Sequence, residues 1–551
     1  MQKLYKISFA FIALFFVTGC KKYLDINSNP AVPQQVKAEL LLPPIIYQMS
    51  NGTAQDGRVI NKVNQNMGGT STDNASLIWE KHGYPVGSDV GGVIWRMTYA
   101  DLGLNLENMI NDAITNQKYE YAAIGYAIKA WAYQMTTDLH GPIILDEAFT
   151  VGQLRFKYQD QPDVYAKVRE WGNLSIKYSN MTSPVSYAAT LAGTSGDGIY
   201  KGDMAKWRKF VYGLFALQYG HLVNKPEFNA KYADSVAKYV DLSLANEAED
   251  ATIGFTASIA ADSNPLGVQM GYLTASTTYY GRPTTTIFKL LTGGVRGTSA
   301  GTPIFVNSLT FASLDPRMYR MMPATPAVVK VTGQPDINTF GYQAITPNLG
   351  NATVTVPTVL GTIPAGGTGL IGHYIFTDRA RYPIMTYSQL QFVKSEAMFI
   401  KGNKANAYTS YINGIRAHFD FFNQYGRTST APDPAISDAE YNAYIASSEV
   451  AKNASDLTLA DIMQQKYIAQ WGWASLETWC DLRKYHYSPT IFKTYYQLTA
   501  GELSTNNSGK FAYRFRPRYN SEYVWNAEEL AKWGGLDLDY MTKELWFSLP
   551  N

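Results

Sequence analysis

A chain of 551 residues with 47 Lys+Arg against 45 Asp+Glu is close to neutral, and it carries no long basic run, so the electrostatic footprint of a nucleic-acid binder is excluded. Two cysteines, Cys20 and Cys480, leave no room for a disulfide framework once Cys20 is engaged elsewhere. Aromatic residues are abundant, with 40 Tyr, 24 Phe and 11 Trp, and a phenol ring pairs an apolar face with a polar tip, which suits wet interfaces and sugar faces.

The first predicted element is a signal segment. Lys3 and Lys6 supply a positive start, and Ile7 to Val17 is apolar apart from Ser8. That run has the length of a signal core and is too short to cross a bilayer. Val17-Thr18-Gly19-Cys20 reads as a bacterial lipobox. Residues 1–19 are therefore expected to be removed and Cys20 to be lipidated, with several acyl chains at ~0.8 kcal/mol per buried CH₂ giving a stable anchor. Nothing later is apolar for long enough to span, so an anchored globule is expected. Asp25-Ile26-Asn27-Ser28-Asn29 opens like a calcium loop, but Pro30 and Val36 stand where an EF-hand needs Gly and Glu. A turn leading into the fold is the better reading, and no metal is implied.

Helical periodicity then dominates. From Asp101 to Leu139, Leu102, Leu106, Met109, Ile110 and Ala113 mark one face, and after a break at Gln117, Ile124, Ala127, Ile128, Trp131 and Met135 mark another. His140-Gly141-Pro142 should end that helix. Asp203 is a plausible N-cap for a helix carrying Trp207, Phe210, Val211, Leu214 and Leu217. Between about 254 and 381 periodicity is lost, and Thr, Ser, Gly, Pro and Val predict loops and short strands. Ser388–Ile400 and Ala405–Phe419 are again helical, and Ser437/Glu440 and Thr458/Asp461 are capping-box starts. One of the helices they open is expected to run through IMQQKYIAQWGWASLETW. Helices of these lengths predict stacked helical hairpins without a strict repeat. The expected architecture is mainly α, one domain over 20–551, with the loop-rich part at about 254–381 as the candidate ligand region.

Catalytic patterns are weak. Gly297-Thr298-Ser299-Ala300-Gly301 matches a nucleophile elbow, but Thr302-Pro303 follows instead of a helix, so a turn is expected. The six histidines, His82, His140, His221, His373, His418 and His486, lack zinc-motif spacing. Asp146 and Glu147 are adjacent and point apart, which does not make an acid/nucleophile pair. Cys480 reads as a small buried hydrophobe. No catalytic residue, metal or cofactor is expected, and a hydrolase acting on glycans or esters, or a pure protein scaffold, are the alternatives from other classes.

Several stretches together are similar to the SusD/RagB-type outer-membrane nutrient-binding lipoproteins of Bacteroidetes. They are the lipobox followed by YLDINSNP, VIWRMTYADLGLNLENMI, KAWAYQMTTDLHGPIILDEAF, DGIYKGDMAKWRKFVYGLFALQ, LDPRM, MTYSQLQFVKSEAMFIKG and QQKYIAQWGWASLETWCDLRKY. Gly141-Pro142-Ile143-Ile144 and Tyr212-Gly213-Leu214 depart from the family pattern and point to a divergent branch. The resemblance implies TPR-like helical hairpins (an α/α superhelix) supporting an irregular ligand region. It also implies a non-catalytic, surface-facing protein anchored in the cell outer membrane. Its role would be to capture oligosaccharides, or alternatively oligopeptides, for a partner SusC/RagA-type TonB-dependent transporter. Trp95, Tyr200, Asp203, Trp207, Trp471 and Trp479 are expected to pack or cap. Ligand contacts are sought where aromatic rings sit in loops beside polar groups: Trp79 and Tyr84 in DNASLIWEKHGYP, and Tyr272, Tyr279, Tyr280 and Arg282 in GYLTASTTYYGRP.

Overall fold

The structure is a computed structural model that describes residues 36–70, 77–273, 281–297, 304–306, 315–323, 325–329, 337–349, 356–361, 372–427 and 434–550. Cys20, the Asp25–Asn29 stretch, Tyr279, Tyr280 and Ser299 lie outside the described residues. Among those described, the helices of nine or more residues are α1 (Ala38–Val63), α2 (Gly103–Thr115), α3 (Tyr119–His140), α4 (Gln161–Ser179), α5 (Met204–His221), α6 (Ala233–Leu242), α7 (Tyr387–Ile400), α8 (Lys404–Tyr425), α9 (Asp438–Ala446), α10 (Leu459–Gln470) and α11 (Ser475–Lys484). No helix of the described residues is long and apolar enough to cross a membrane.

Consecutive helices pack in pairs: α2 on α3, α3 on α4, α5 on α6 and α7 on α8. Small residues allow the close approach. A Cβ on Gly125 of α3 would lie 2.6 Å from Ile110 of α2, and one on Gly414 of α8 would lie 2.8 Å from the Phe392 ring of α7. Helix α3 is buried almost all round, which explains its alternation of small and large residues. Its start follows Gln117, in the left-handed region at φ 54°, and its end is Gly141 at φ 84°, the break and stop the sequence predicts. Asp203 caps α5 by accepting from the Ala205 and Lys206 amides. Both capping boxes are present, Ser437 with Glu440 on α9 and Thr458 with Asp461 on α10.

One expectation is corrected. The stretch IMQQKYIAQWGWASLETW is two helices, not one: α10 ends at Gln470 and α11 begins at Ser475. Gly472 turns the chain at φ 86° with no space for a side chain, since a Cβ would lie 2.7 Å from the Phe376 ring. Trp471 then donates its indole N–H to the Asn66 carbonyl at 3.0 Å, and Asn61 donates to Gly472 O at 3.1 Å. The turn is thereby fixed against the end of α1.

Strands are short. β1 (Met67–Gly68) pairs with β5 (Arg282–Pro283), β2 (Ile143–Ile144) with β3 (Tyr158–Gln159), and β4 (Ala251–Ile253) with β9 (Tyr382–Met385), all antiparallel. β6 (Ile304–Val306), β7 (Thr325–Val329) and β8 (Ile337–Tyr342) form a sheet in the order β6-β8-β7. These last strands occupy the irregular region expected near 254–381. The hydrophobic core is one contiguous cluster from Ala38 to Phe547, and Trp95, Trp207, Trp471 and Trp479 are fully buried within it, as packing residues should be.

Candidate ligand-binding site

Two sequence candidates meet in one place. Trp79 and Tyr84 line a cavity of about 250 Å³ together with residues of the chain's far end, among them Phe515, Arg516, Tyr519 and Tyr523. The loop from Tyr84 to Gly91 is held by side chains rather than by sheet pairing. Asp56 of α1, fully buried, accepts from the Gly91 amide at 3.0 Å and the Ile94 amide at 2.7 Å. Burial outweighs these bonds and pushes the Asp56 carboxyl up to about 6. Asn506 pins Tyr84 from the other side, accepting from its amide at 3.3 Å and donating to its carbonyl. Gly91, at φ 87°, brings the loop so close to Trp79 that a Cβ would lie 2.9 Å from the indole.

Within the cavity the two rings have different duties. Trp79 is 5% exposed and packs on Phe515 at 4.9 Å between ring centroids, so it forms a wall. Tyr84 is half-buried and carries the Arg516 guanidinium 4.1 Å above its ring centre. Arg516 donates to the Tyr523 hydroxyl at 2.8 Å and to the carbonyls of Gly535 and Asp537 at 2.7 and 2.6 Å. It thus ties the Tyr84 loop to the 535–538 turn. Tyr519 and Tyr523 stack at 5.2 Å, and burial pushes the Tyr523 phenol up to about 12, so it remains a neutral hydroxyl. Val86 and Leu536, 77% and 55% exposed, stand at the cavity mouth.

The other candidates do not join them. Tyr272 lies against a polar stripe of α1, where its hydroxyl donates to Asn51 and accepts from Gln55, with Arg58 5.6 Å from the ring centre. Arg282 lies in β5 and donates to the Val356 carbonyl. The residues missing from the sequence reading were Arg516, Tyr519 and Tyr523. The signal for them was the dense run of aromatic and arginine residues in FAYRFRPRYNSEYVW.

Potential metal ligands also meet, outside the lining of this cavity. Asp138, His221 and Cys480 place ligating atoms within 4.8 Å of one another, all buried. Those atoms already serve an internal network. His221 bonds Tyr165 through Nδ1 at 3.0 Å and Glu477 through Nε2 at 3.1 Å, while the Cys480 sulfur accepts from Arg483 at 3.1 Å. Burial pushes the Cys480 thiol up, which makes it a poor nucleophile.

Comparison with known proteins concerns the family and the fold. A family profile described as starch-binding and associating with the outer membrane, SusD-like, matches residues 30–516. A SusD/RagB family protein from Bacteroides thetaiotaomicron shares the fold at a TM-score of 0.64 and 18% identity, covering 94% of this chain and 100% of that one. A SusD-like protein described as Bacteroidetes AC2a shares it at 0.67 and 16%, covering 93% and 100%. A chitin-binding protein does so at 0.64 and 16%, with the same coverage. No match was found among curated proteins. Because the profile of this family of binding proteins, which are not enzymes, runs across most of the chain, the chain belongs to the SusD-like family.

Proposed function

We propose that the chain captures oligosaccharides in the cavity between the Tyr84 loop and the Phe515–Tyr523 strip. A lipid on Cys20 would hold it at the outer membrane facing outward, and a SusC-type TonB-dependent transporter would receive the ligand. The observation that carries this reading is the Tyr84 ring fixed beneath Arg516 in a cavity of about 250 Å³ walled by Trp79 and Tyr519. A ring held in place stacks on a sugar's apolar face without losing rotamer freedom, and nearby polar groups orient the hydroxyls. The shared fold with a chitin-binding protein supports a glycan ligand.

The test is calorimetric titration of the purified protein with glycan and peptide panels. Tyr84→Ala and Arg516→Ala should each weaken glycan binding by about tenfold, the equivalent of ~1.4 kcal/mol. Tyr272→Ala should leave it unchanged. Equal affinity in the wild type and both cavity variants would exclude this cavity. Transporter delivery is checked separately, by co-purification of a TonB-dependent barrel with the wild type and its loss with Cys20→Ser.

A further inference from the structure

The Phe515–Tyr523 strip has a second side. Pro517 and Tyr519 line the cavity described above, while Arg518, Ser521 and Glu522 line another recess of about 240 Å³ with Trp95, Tyr99, Phe149 and Phe156. We propose that this recess is a separate binding site, and that it takes a protonated amine on the ligand, from an amino sugar or from a peptide.

Three observations carry the proposal. The first is Glu522, which is 3% exposed. Its Oε2 accepts from the Tyr158 hydroxyl and from Asn526 at 3.0 Å. Its Oε1 has no hydrogen-bond partner among the described residues. Both Oε2 donors are neutral, and Glu522 forms no ion pair among the described residues. A buried carboxylate without a cation is costly to keep. The second is charge matching around it: Arg96 is paired with Asp101 at 3.0 Å and Arg518 with Asp89 at 2.9 Å. The two arginines that line the recess are therefore already balanced, and Glu522 is the lining charge that is not.

The third observation is the aromatic surround. Trp95 and Tyr99 have ring centres 5.1 Å apart, and Phe149 lies 6.5 Å from Tyr99. Phe149 holds a left-handed backbone at φ 67°, a conformation that is strained for a bulky residue and collects at ligand sites. Ring faces and a carboxylate attract the same thing, a positive charge, and the attraction of an ammonium to an aromatic face is strongest where both are desolvated. A neutral sugar would use the carboxylate only as a hydrogen-bond acceptor. The amine preference is what distinguishes the two.

This inference rests on the chain being a nutrient binder, but on neither the first cavity nor the neutral-glycan class. The experiment is titration of the purified wild type, Glu522→Gln and Phe149→Ala with matched pairs of ligands. One pair is a glucosamine oligomer and its fully N-acetylated twin; the other is a short peptide with a free or an acetylated amino terminus. In the wild type the amine form of at least one pair should bind about tenfold or more tightly than its twin, and the pair that responds identifies the source. Glu522→Gln keeps the acceptor oxygen for Tyr158 and should abolish the preference while changing the acetylated twin's affinity by less than about twofold. Phe149→Ala, which touches none of the Glu522 bonds, should weaken the amine form by a similar factor. Equal binding of the twins by the wild type overturns the proposal, as does an amine preference that survives Glu522→Gln or the absence of any amine binding. Loss of neutral-glycan binding in Tyr84→Ala with the amine preference intact would separate the two sites.

Discussion

Asp56 is a residue whose effect reaches well beyond its own position. It sits on α1, yet its two oxygens hold the Gly91 and Ile94 amides and so set where the Tyr84 loop stands. Asp56→Ala would leave both buried amides without a partner, at about 1–3 kcal/mol each. The expected outcome is a stability loss of about 2–4 kcal/mol in urea unfolding, together with faster proteolysis between Gly83 and Gly92. A loss confined to stability, with the loop still protected, would show that other contacts position it. At this scale the sequence was only partly legible. Trp79 and Tyr84 were singled out as loop aromatics beside polar residues, and both line the cavity. Tyr272 had the same local appearance, but it is committed to Asn51 and Gln55 more than two hundred positions away. Composition within a loop says which rings are adaptable; only the distant partner says which one faces a cavity.

Among the elements, periodicity performed well where apolar residues recur at helical spacing, and poorly where prolines or buried polar residues blur that spacing. Helices α2, α3, α5, α7 and α8 follow from spacing, and their ends follow from Gln117, Gly141 and Asp203. α1 was not delineated, because Pro43 and Pro44 lie inside it and proline normally argues against a helix interior. α10 and α11 were merged, because both are buried on every side, polar residues such as Gln464, Gln465 and Glu477 included, so no change of face marks where one ends and the next begins. Gly472 is the residue that separates them. Gly472→Ala would force a side chain into a left-handed backbone at about 1–2 kcal/mol, and it would place a methyl against Phe376, 2.7 Å away. A stability loss of about 2–4 kcal/mol is expected in chemical denaturation, with the Trp471 indole bond to Asn66 weakened. A neutral substitution would show that the turn relaxes without cost.

For the molecule as a whole, the polar network between α3, α4, α5, α7, α10 and α11 links stability to pH. Lys466 and Lys484 pair with Glu396 and Asp481, and His221 stands between Asp138 and Glu477, with Arg483 beside Cys480. Three cations face four carboxylates, so a proton on His221 makes the group neutral. Burial disfavours the imidazolium, but Glu477 and Asp138 outweigh it and raise His221 above its ordinary 6.5. A raised histidine contributes stability that is complete below the unfolded value and is lost as pH climbs through the folded one. Asp138, pushed up to about 6 by burial, has the same sign, with its loss complete nearer pH 6; Glu396 and Glu477 are lowered and act only in acid. Stability should therefore fall from about pH 6.5 upward in the wild type and fall less steeply in His221→Gln, measured by denaturant midpoint at each pH. Parallel slopes in the two proteins would assign the dependence elsewhere.

The Asp89 contact joins distant parts of the chain. Asp89 holds Asn520 across 431 positions of sequence, at 2.8 Å to its amide, and Tyr84 meets Asn506 across 422. Both recesses thus depend on segments more than four hundred positions apart in sequence. A chain interrupted before residue 515 would lack the shared wall and could hold ligand in neither recess, however well its helices had paired. Binding at the proposed sites would thereby report that the segments around residues 84–96 and 515–523 have met.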